Sequence, residues 1–189
     1  MKNILPFFLF LVLFQTTCLS QKFDFKKDKY WLNFGAGNYC SVYSTGGIEW
    51  NADVNIVLDS TLYKIKYFQT LKFDLFGPLP HERTYNVEFM AGKGFSGKFA
   101  QVYFCAGLGI VYGIIRGKLL YVDPFPGFFE DPKHYERKTF VSPSIPVEID
   151  ITLKPVMVLG ITGTLYGNLN FKRPMCGVGL KIGIGNLVK

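Results

Sequence analysis

The chain has 189 residues, 49% hydrophobic and 17% aromatic, with 21 Lys and Arg against 14 Asp and Glu for a net charge of +7. That length fits one domain and is short for two. The basic residues are spread along the chain rather than clustered, which argues against a nucleic-acid partner and favours anionic lipid head groups.

The N-terminus has the layout of a signal peptide. Lys2 supplies the positive start, and Ile4 to Phe14 forms an apolar run of about eleven residues. Such a run is too short to cross a bilayer, which takes roughly 20 residues. Cys18-Leu19-Ser20 then precedes Gln21, so cleavage is expected after Ser20, leaving residues 21–189 as the mature domain. Lipidation of Cys18 is an alternative, although Gln15-Thr16-Thr17 lacks the apolar and small residues of a lipobox.

From Tyr30 onward the hydrophobic pattern has a period of two, the strand signal. In the first segment Tyr30, Leu32, Phe34 and Ala36 oppose Asn33 and Gly35. The second sets Ile48, Trp50, Ala52, Val54 and Ile56 against Glu49, Asn51, Asp53 and Asn55, a sorting no helix would give. The third sets Ile65, Tyr67, Leu71, Phe73 and Leu75 against Lys64, Lys66, Thr70, Lys72 and Asp74, with Gln69 and Phe68 on the opposite faces to those expected. The fourth opposes Tyr85, Val87, Phe89 and Ala91 to Thr84, Asn86, Glu88 and Gly92.

A fifth segment, Phe99 to Gly113, turns Ala100, Val102, Phe104, Ala106, Leu108 and Ile110 one way and Gln101, Tyr103, Gly107 and Gly109 the other. The sixth opposes Ile145, Val147, Ile149, Ile151 and Leu153 to Ser144, Glu148, Asp150 and Thr152; Pro143 and Pro146 suggest an irregular start. The seventh, Val156 to Asn170, sets Leu159, Ile161, Leu165 and Leu169 against Thr162, Thr164, Tyr166 and Asn168. The eighth sets Val178, Leu180, Ile182 and Ile184 against Gly177, Gly179, Lys181, Gly183 and Gly185.

Eight is an even number of strands, as antiparallel transmembrane barrels require. The links alternate too. Those near Asp59-Ser60, Phe95-Ser96-Gly97 and Lys154-Pro155 are tight. Those at 38–45, 77–83 and 115–138 are longer, and 172–175 is short. The expected fold is all-β: an up-and-down antiparallel barrel with turns at one end and loops at the other. Among sheets, only a closed one leaves no backbone group unpaired in lipid.

Alternation alone does not say which face points outward, and a soluble barrel with an apolar cavity has the same period. Three features favour the membrane version. The polar face is rich in small residues that suit a narrow lumen. Its charges are mixed and able to pair: Glu49, Asp53, Asp74, Glu88, Glu148 and Asp150 against Lys64, Lys66, Lys72 and Lys181. Aromatics (Tyr30, Trp50, Tyr63, Tyr85, Tyr112 and Phe171) gather near strand ends, as in interfacial girdles. With its signal peptide, alternating strands and closing Gly177-Val178-Gly179-Leu180-Lys181-Ile182-Gly183-Ile184-Gly185, the mature chain resembles the small OmpA/OmpX-type outer-membrane barrels of Gram-negative bacteria. It departs from them in ending Asn186-Leu187-Val188-Lys189, where such barrels carry a terminal aromatic.

An eight-stranded barrel is just wide enough to be filled by its own side chains. The interior charges therefore read first as a salt-bridge plug and only secondarily as an ion path. His81 and His134 fall in expected outer loops beside Glu82 and Glu136. Ser41 or Ser44 with His81 would be the candidate pair for a lipid-modifying enzyme. No cofactor or metal motif is present. Cys40 and Cys176 flank the seam between the first and last strands, where a disulfide would fit, and unpaired packing cysteines are the alternative. Cys105 should point inward.

The long third link carries Tyr121, Phe125, Phe128 and Phe129 beside Pro124 and Pro126. They are either packed over the mouth or available to a surface ligand. Arg83, Arg116, Lys118, Arg137, Lys138, Lys172 and Arg173 collect on the same side, with Arg83, Lys138, Lys172 and Arg173 as candidates for lipopolysaccharide phosphates. The expectation is an outer-membrane barrel with a structural or surface-interaction role. The alternatives are a carrier or narrow channel for small hydrophobic molecules, for which only Phe68, Tyr103, Val111 and Tyr166 supply an apolar lumen, and an outer-leaflet lipid enzyme.

Overall fold

In a computed structural model, residues 29–42, 45–72, 77–125 and 131–187 are described. Eight strands form a closed ring: β1 (Lys29–Ser41), β2 (Thr45–Leu58), β3 (Thr61–Lys72), β4 (Arg83–Ser96), β5 (Ala100–Val122), β6 (Lys133–Val156), β7 (Leu159–Asn170) and β8 (Met175–Asn186). Each pairs antiparallel with its chain neighbours, and β1 with β8 completes the circle. The expected signal peptide, cleavage site and Cys18 lie outside the described residues.

The register fixes the shape. From Tyr30 the paired positions run through Ile56, Tyr63, Ala91, Ala106, Val147, Gly167 and Cys176 and return to β1 at Cys40, ten residues farther along. That stagger over eight strands tilts them by about 40° from the barrel axis. A tilted strand of β8's length then rises roughly 29 Å, the thickness of a bilayer's hydrocarbon core.

The alternation sorts the two faces. On β8, Leu180 is 69% exposed and Lys181 1%; on β1, Phe34 is 59% exposed and Asn33 1%. Apolar side chains point out and polar ones in, the reverse of a soluble barrel with a greasy cavity. Toward the loop end of the outer wall Trp50 lies 5.3 Å from Tyr67, and Tyr85 stacks at 6.0 Å on Tyr112. Tyr30, Tyr63 and Phe99 lie toward the turn end.

The tight links lie together at one end. Asp59 and Ser60 take positive φ values of 43° and 68°, the geometry of a primed two-residue hairpin. The Gly97 N–H donates to the Ala100 carbonyl at 2.8 Å. The third turn is at 157–158, not at Lys154-Pro155, because β6 runs on to Val156 through a register shift after Leu153. A bulge tolerates the proline. Lys154 turns back, its Nζ donating to the Gly97 carbonyl at 2.6 Å, and so ties two turns together.

The other end departs further from expectation. The first link shrinks from 38–45 to 42–44, since β1 pairs out to Ser41. The long third link is mostly strand: β5 climbs to Val122 and β6 starts at Lys133, with register shifts between Arg116 and Tyr121. Beyond Ile114, where β4 ends its pairing, this hairpin continues for about 26 Å of strand. It was hidden because above the wall the chain has no lipid-to-lumen contrast and loses its period of two. The sixth segment does not begin irregularly at its prolines either. The register at Gly109↔Ser144 continues unchanged to Ala106↔Val147, so the ladder passes Pro146 without slipping.

Candidate functional site

The interior is filled in three layers. At the turn end Trp31, Leu62, Met90, Tyr103, Cys105 and Leu187 form a buried apolar cluster. At the loop end Tyr39, Phe68, Tyr166 and Met175 form a second. Between them, three lysines and five carboxylates are withdrawn from water: Lys64, Lys66 and Lys181 with Glu49, Asp53, Glu88, Glu148 and Asp150.

Five strands deliver these groups to one level because alternate residues of β2, β3, β4, β6 and β8 point inward and the stagger aligns them. Glu148 is the hub. Its Oε1 accepts from Lys64 at 2.5 Å and Lys181 at 2.8 Å, and its Oε2 from Lys66 at 2.5 Å. Lys64 also donates to Asp150, and Lys181 to Asp53 at 2.9 Å. Short polar neighbours fill some of the remaining acceptor sites, though Glu49 Oε2 is buried without a hydrogen-bond partner among the described residues. Asn55 donates to Asp53, Asn33 donates to the same carboxylate at 2.7 Å, and Thr164 donates to Asp150 at 2.6 Å. Glu88 accepts from Asn168 at 2.6 Å and Glu49 from Asn51 at 3.2 Å. Lys66 also lies over the rings of Tyr166 and Phe68, 4.6 and 4.9 Å from their centres. Burial is tolerated where charges exchange hydration for several fixed partners, as Glu148, Asp53, Asp150, Lys64 and Lys181 do.

β8 makes room for this layer. A Cβ on Gly183 would lie 2.5 Å from Asn33 Oδ1, and one on Gly177 would lie 2.6 Å from the Tyr166 ring. The Gly-X-Gly run thus leaves volume for Asn33 and Tyr166 on the neighbouring strands β1 and β7.

The rim is also bridged. Arg173 turns inward, 5% exposed, and its Nη2 donates to Glu82 Oε2 at 3.0 Å, joining two loops across the mouth. Glu82 Oε1 accepts the Arg116 N–H at 3.2 Å. Asn170 Oδ1 takes the N–H groups of Arg173 at 2.6 Å and Lys172 at 3.2 Å, which folds the last loop down.

The sequence-derived candidates fall into different places. Lys72, expected in the lumen network, ends β3 half-buried at the loop rim, above the ion-paired layer, where its N–H donates to the Glu82 carbonyl at 3.1 Å. Arg173, expected to face lipopolysaccharide, is instead committed to the mouth, because Asn170 pulls its loop inward. Lys172 is exposed. The Lys138 side chain is half-exposed beside Glu136 at 3.6 Å, and Arg83 lies 6.0 Å from the centre of the Tyr85 ring.

Tyr121 stacks on His134 at 4.4 Å near the hairpin tip, and Phe125 is 89% exposed; Phe128 and Phe129 lie outside the described residues. The Ser41 hydroxyl donates to the Pro174 carbonyl at 3.0 Å, and no hydrogen bond joins it to His81 among the described residues. Ser44 lies outside them. Cys40 and Cys176 are directly opposed across the β1–β8 seam with sulfurs 3.0 Å apart, while Cys105 points inward.

Sequence reasoning missed Trp31, Tyr39, Leu62, Met90, Met175 and Leu187 as interior residues. Met90 was legible, two residues after Glu88 on the same face. Trp31 and Leu62 sit beside other apolar residues, where alternation carries no contrast. These additions do not make a greasy passage, because the charged layer separates the two apolar ones.

An outward apolar wall, interior ion pairs and short turns opposite longer loops define the fold of the eight-stranded outer-membrane β-barrels. Among solved structures the chain is similar to Neisserial surface protein A (NspA), with a TM-score of 0.58 at 9% identity over 85% of this chain and 97% of that one. Ail, the attachment invasion locus protein of Yersinia pestis, gives 0.54 at 10% identity over 84% and 97%. The N-terminal β-barrel domain of Pseudomonas aeruginosa OprF gives 0.52 at 11% identity over 84% and 99%. No protein-family model and no curated protein sequence matches the chain.

Proposed function

We propose that this protein is a non-conducting barrel of a Gram-negative outer membrane, exported by a signal peptide cleaved after Ser20, which acts as a structural or surface-interaction protein through its outer rim. The observation that carries the reading is Glu148 holding Lys64, Lys66 and Lys181 across the middle of the lumen, with an apolar cluster on either side. A solute path would have to break that layer, and a barrel this narrow has no room for a path beside it.

The rim carries the interaction. Arg83, Lys138 and Lys172 stand where the outer wall meets the loops, the level of lipopolysaccharide phosphates in an outer leaflet. The β5–β6 hairpin raises Leu120, Tyr121 and Phe125, all more than half exposed, beyond that level as a contact surface for a partner. No enzymatic step is assigned.

Two measurements test this together. Outer-membrane fractions should contain a band that migrates differently before and after boiling. Purified protein in planar bilayers should pass no steady current. Stable unitary conductance would refute the plug, and recovery of a dissolved chain without the mobility shift would refute the membrane assignment.

A further inference from the structure

We infer that Cys40 and Cys176 form a disulfide that fastens the barrel seam. The pair is directly opposed in the β1–β8 ladder, the last ladder in chain order and the one that closes the ring. Directly opposed residues of an antiparallel pair have Cα atoms about 4.5–5.5 Å apart, inside the range a disulfide spans. Both side chains point to the outer face and are exposed, and their sulfurs already lie 3.0 Å apart, so no backbone movement is needed. Cys105 does not compete, being buried inside the barrel on β5.

The chemistry is a two-electron oxidation by exchange with a protein disulfide donor. One thiolate of the pair attacks the donor's disulfide and releases one donor sulfur as a thiol. The second thiolate then displaces the other donor sulfur from the mixed disulfide. One S–S bond is broken and one formed, the pair loses two electrons and two protons, and the donor leaves as a dithiol. Such donors operate in the bacterial envelope, so the inference rests on the exported location proposed above.

The seam gains a covalent link that its hydrogen bonds lack. With the pair oxidised, β8 cannot part from β1 near the loop end while the chain is intact. The bond also replaces two thiols at the lipid-facing wall with an apolar group.

The test is differential alkylation of membranes prepared without reductant, with peptide mass mapping and the boiling-dependent gel shift measured on the same sample. The expected result is a shifted band in which Cys105 alkylates on denaturation, whereas a peptide joining Cys40 to Cys176 appears and disappears with reductant. In Cys40→Ser that linked peptide should vanish and Cys176 should alkylate, while the band still shifts. A membrane-embedded, shifting barrel whose Cys40 and Cys176 both alkylate without reductant would overturn the disulfide and leave the barrel standing. A dissolved chain showing no shift would overturn the location and the disulfide together.

Discussion

Replacing Glu148 with glutamine removes a charge and almost no volume, so it isolates the electrostatics of the plug. The three lysines around it are not equally dependent on it. Lys64 keeps Asp150, and Lys181 keeps Asp53 at 2.9 Å. Lys66 keeps no ion pair among the described residues, so a fully buried ammonium is left with two aromatic faces and the longer-range attraction of Glu49 and Glu88. Breaking a buried pair from one side costs about 3–5 kcal/mol. The aromatic contacts recover about 1–2 kcal/mol of that, so the net loss should be near 2–3 kcal/mol.

The reverse change, Lys66→Met, leaves Glu148 with two lysines and should cost about 1 kcal/mol. The double variant Glu148→Gln/Lys66→Met should be more stable than Glu148→Gln alone by about 1 kcal/mol or more. Urea titration of folding into lipid vesicles, followed by tryptophan fluorescence and gel mobility, measures all four proteins. If Glu148→Gln unfolds at the wild-type midpoint, or the double variant is no better than the glutamine single, the hub assignment is wrong.

Other parts of the molecule yield sharper contrasts between environments. Leu180→Arg, halfway along the outer face of β8, should cost about 2–4 kcal/mol in a bilayer and would be close to neutral on a water-facing wall; the same titration in vesicles reads it. Reductant should lower the temperature at which the wild-type band loses its folded mobility, because a link over 136 positions constrains the unfolded chain by up to about 5 kcal/mol, and it should have no effect on Cys176→Ser. Arg173→Met should release the loop held by Glu82 and speed amide hydrogen exchange at 79–83 by about tenfold, equivalent to roughly 1.4 kcal/mol, while leaving exchange in β8 unchanged.

What the sequence could convey followed the environment of each residue. Where a strand separates lipid from lumen, as in β2 with Ile48 to Ile56, a period of two is forced and both faces could be read directly. Where that contrast ends, so does the signal. Beyond the buried Ile114 the upper β5–β6 hairpin reads Ile-Arg-Gly-Lys-Leu-Leu-Tyr-Val, with no lipid-to-lumen contrast to sort it, and looked like a loop. The central charges were legible as a set, because each shares a face with known neighbours on its strand. Their pairing was not, since it depends on how eight strands are staggered. Lys72 had the right parity and the wrong height, and Arg173 was drawn to the mouth by Asn170, a neighbour whose hydrogen bonds no periodicity encodes. Of the aromatic residues in the two inner caps, Phe68, Tyr103 and Tyr166 were legible on the inward face, whereas Trp31 was obscured by its apolar neighbours Tyr30 and Leu32.

The ten-residue return of the register has an implication for how such a molecule can change. Strand number and offset together set a backbone cylinder of about 8 Å radius, whatever side chains fill it. Substitution can therefore alter what occupies the bore but not its calibre, and a wider conduit would need additional hairpins. Variation has most freedom above the wall, where the projecting ribbon can lengthen, shorten or change its tip without any other strand having to move.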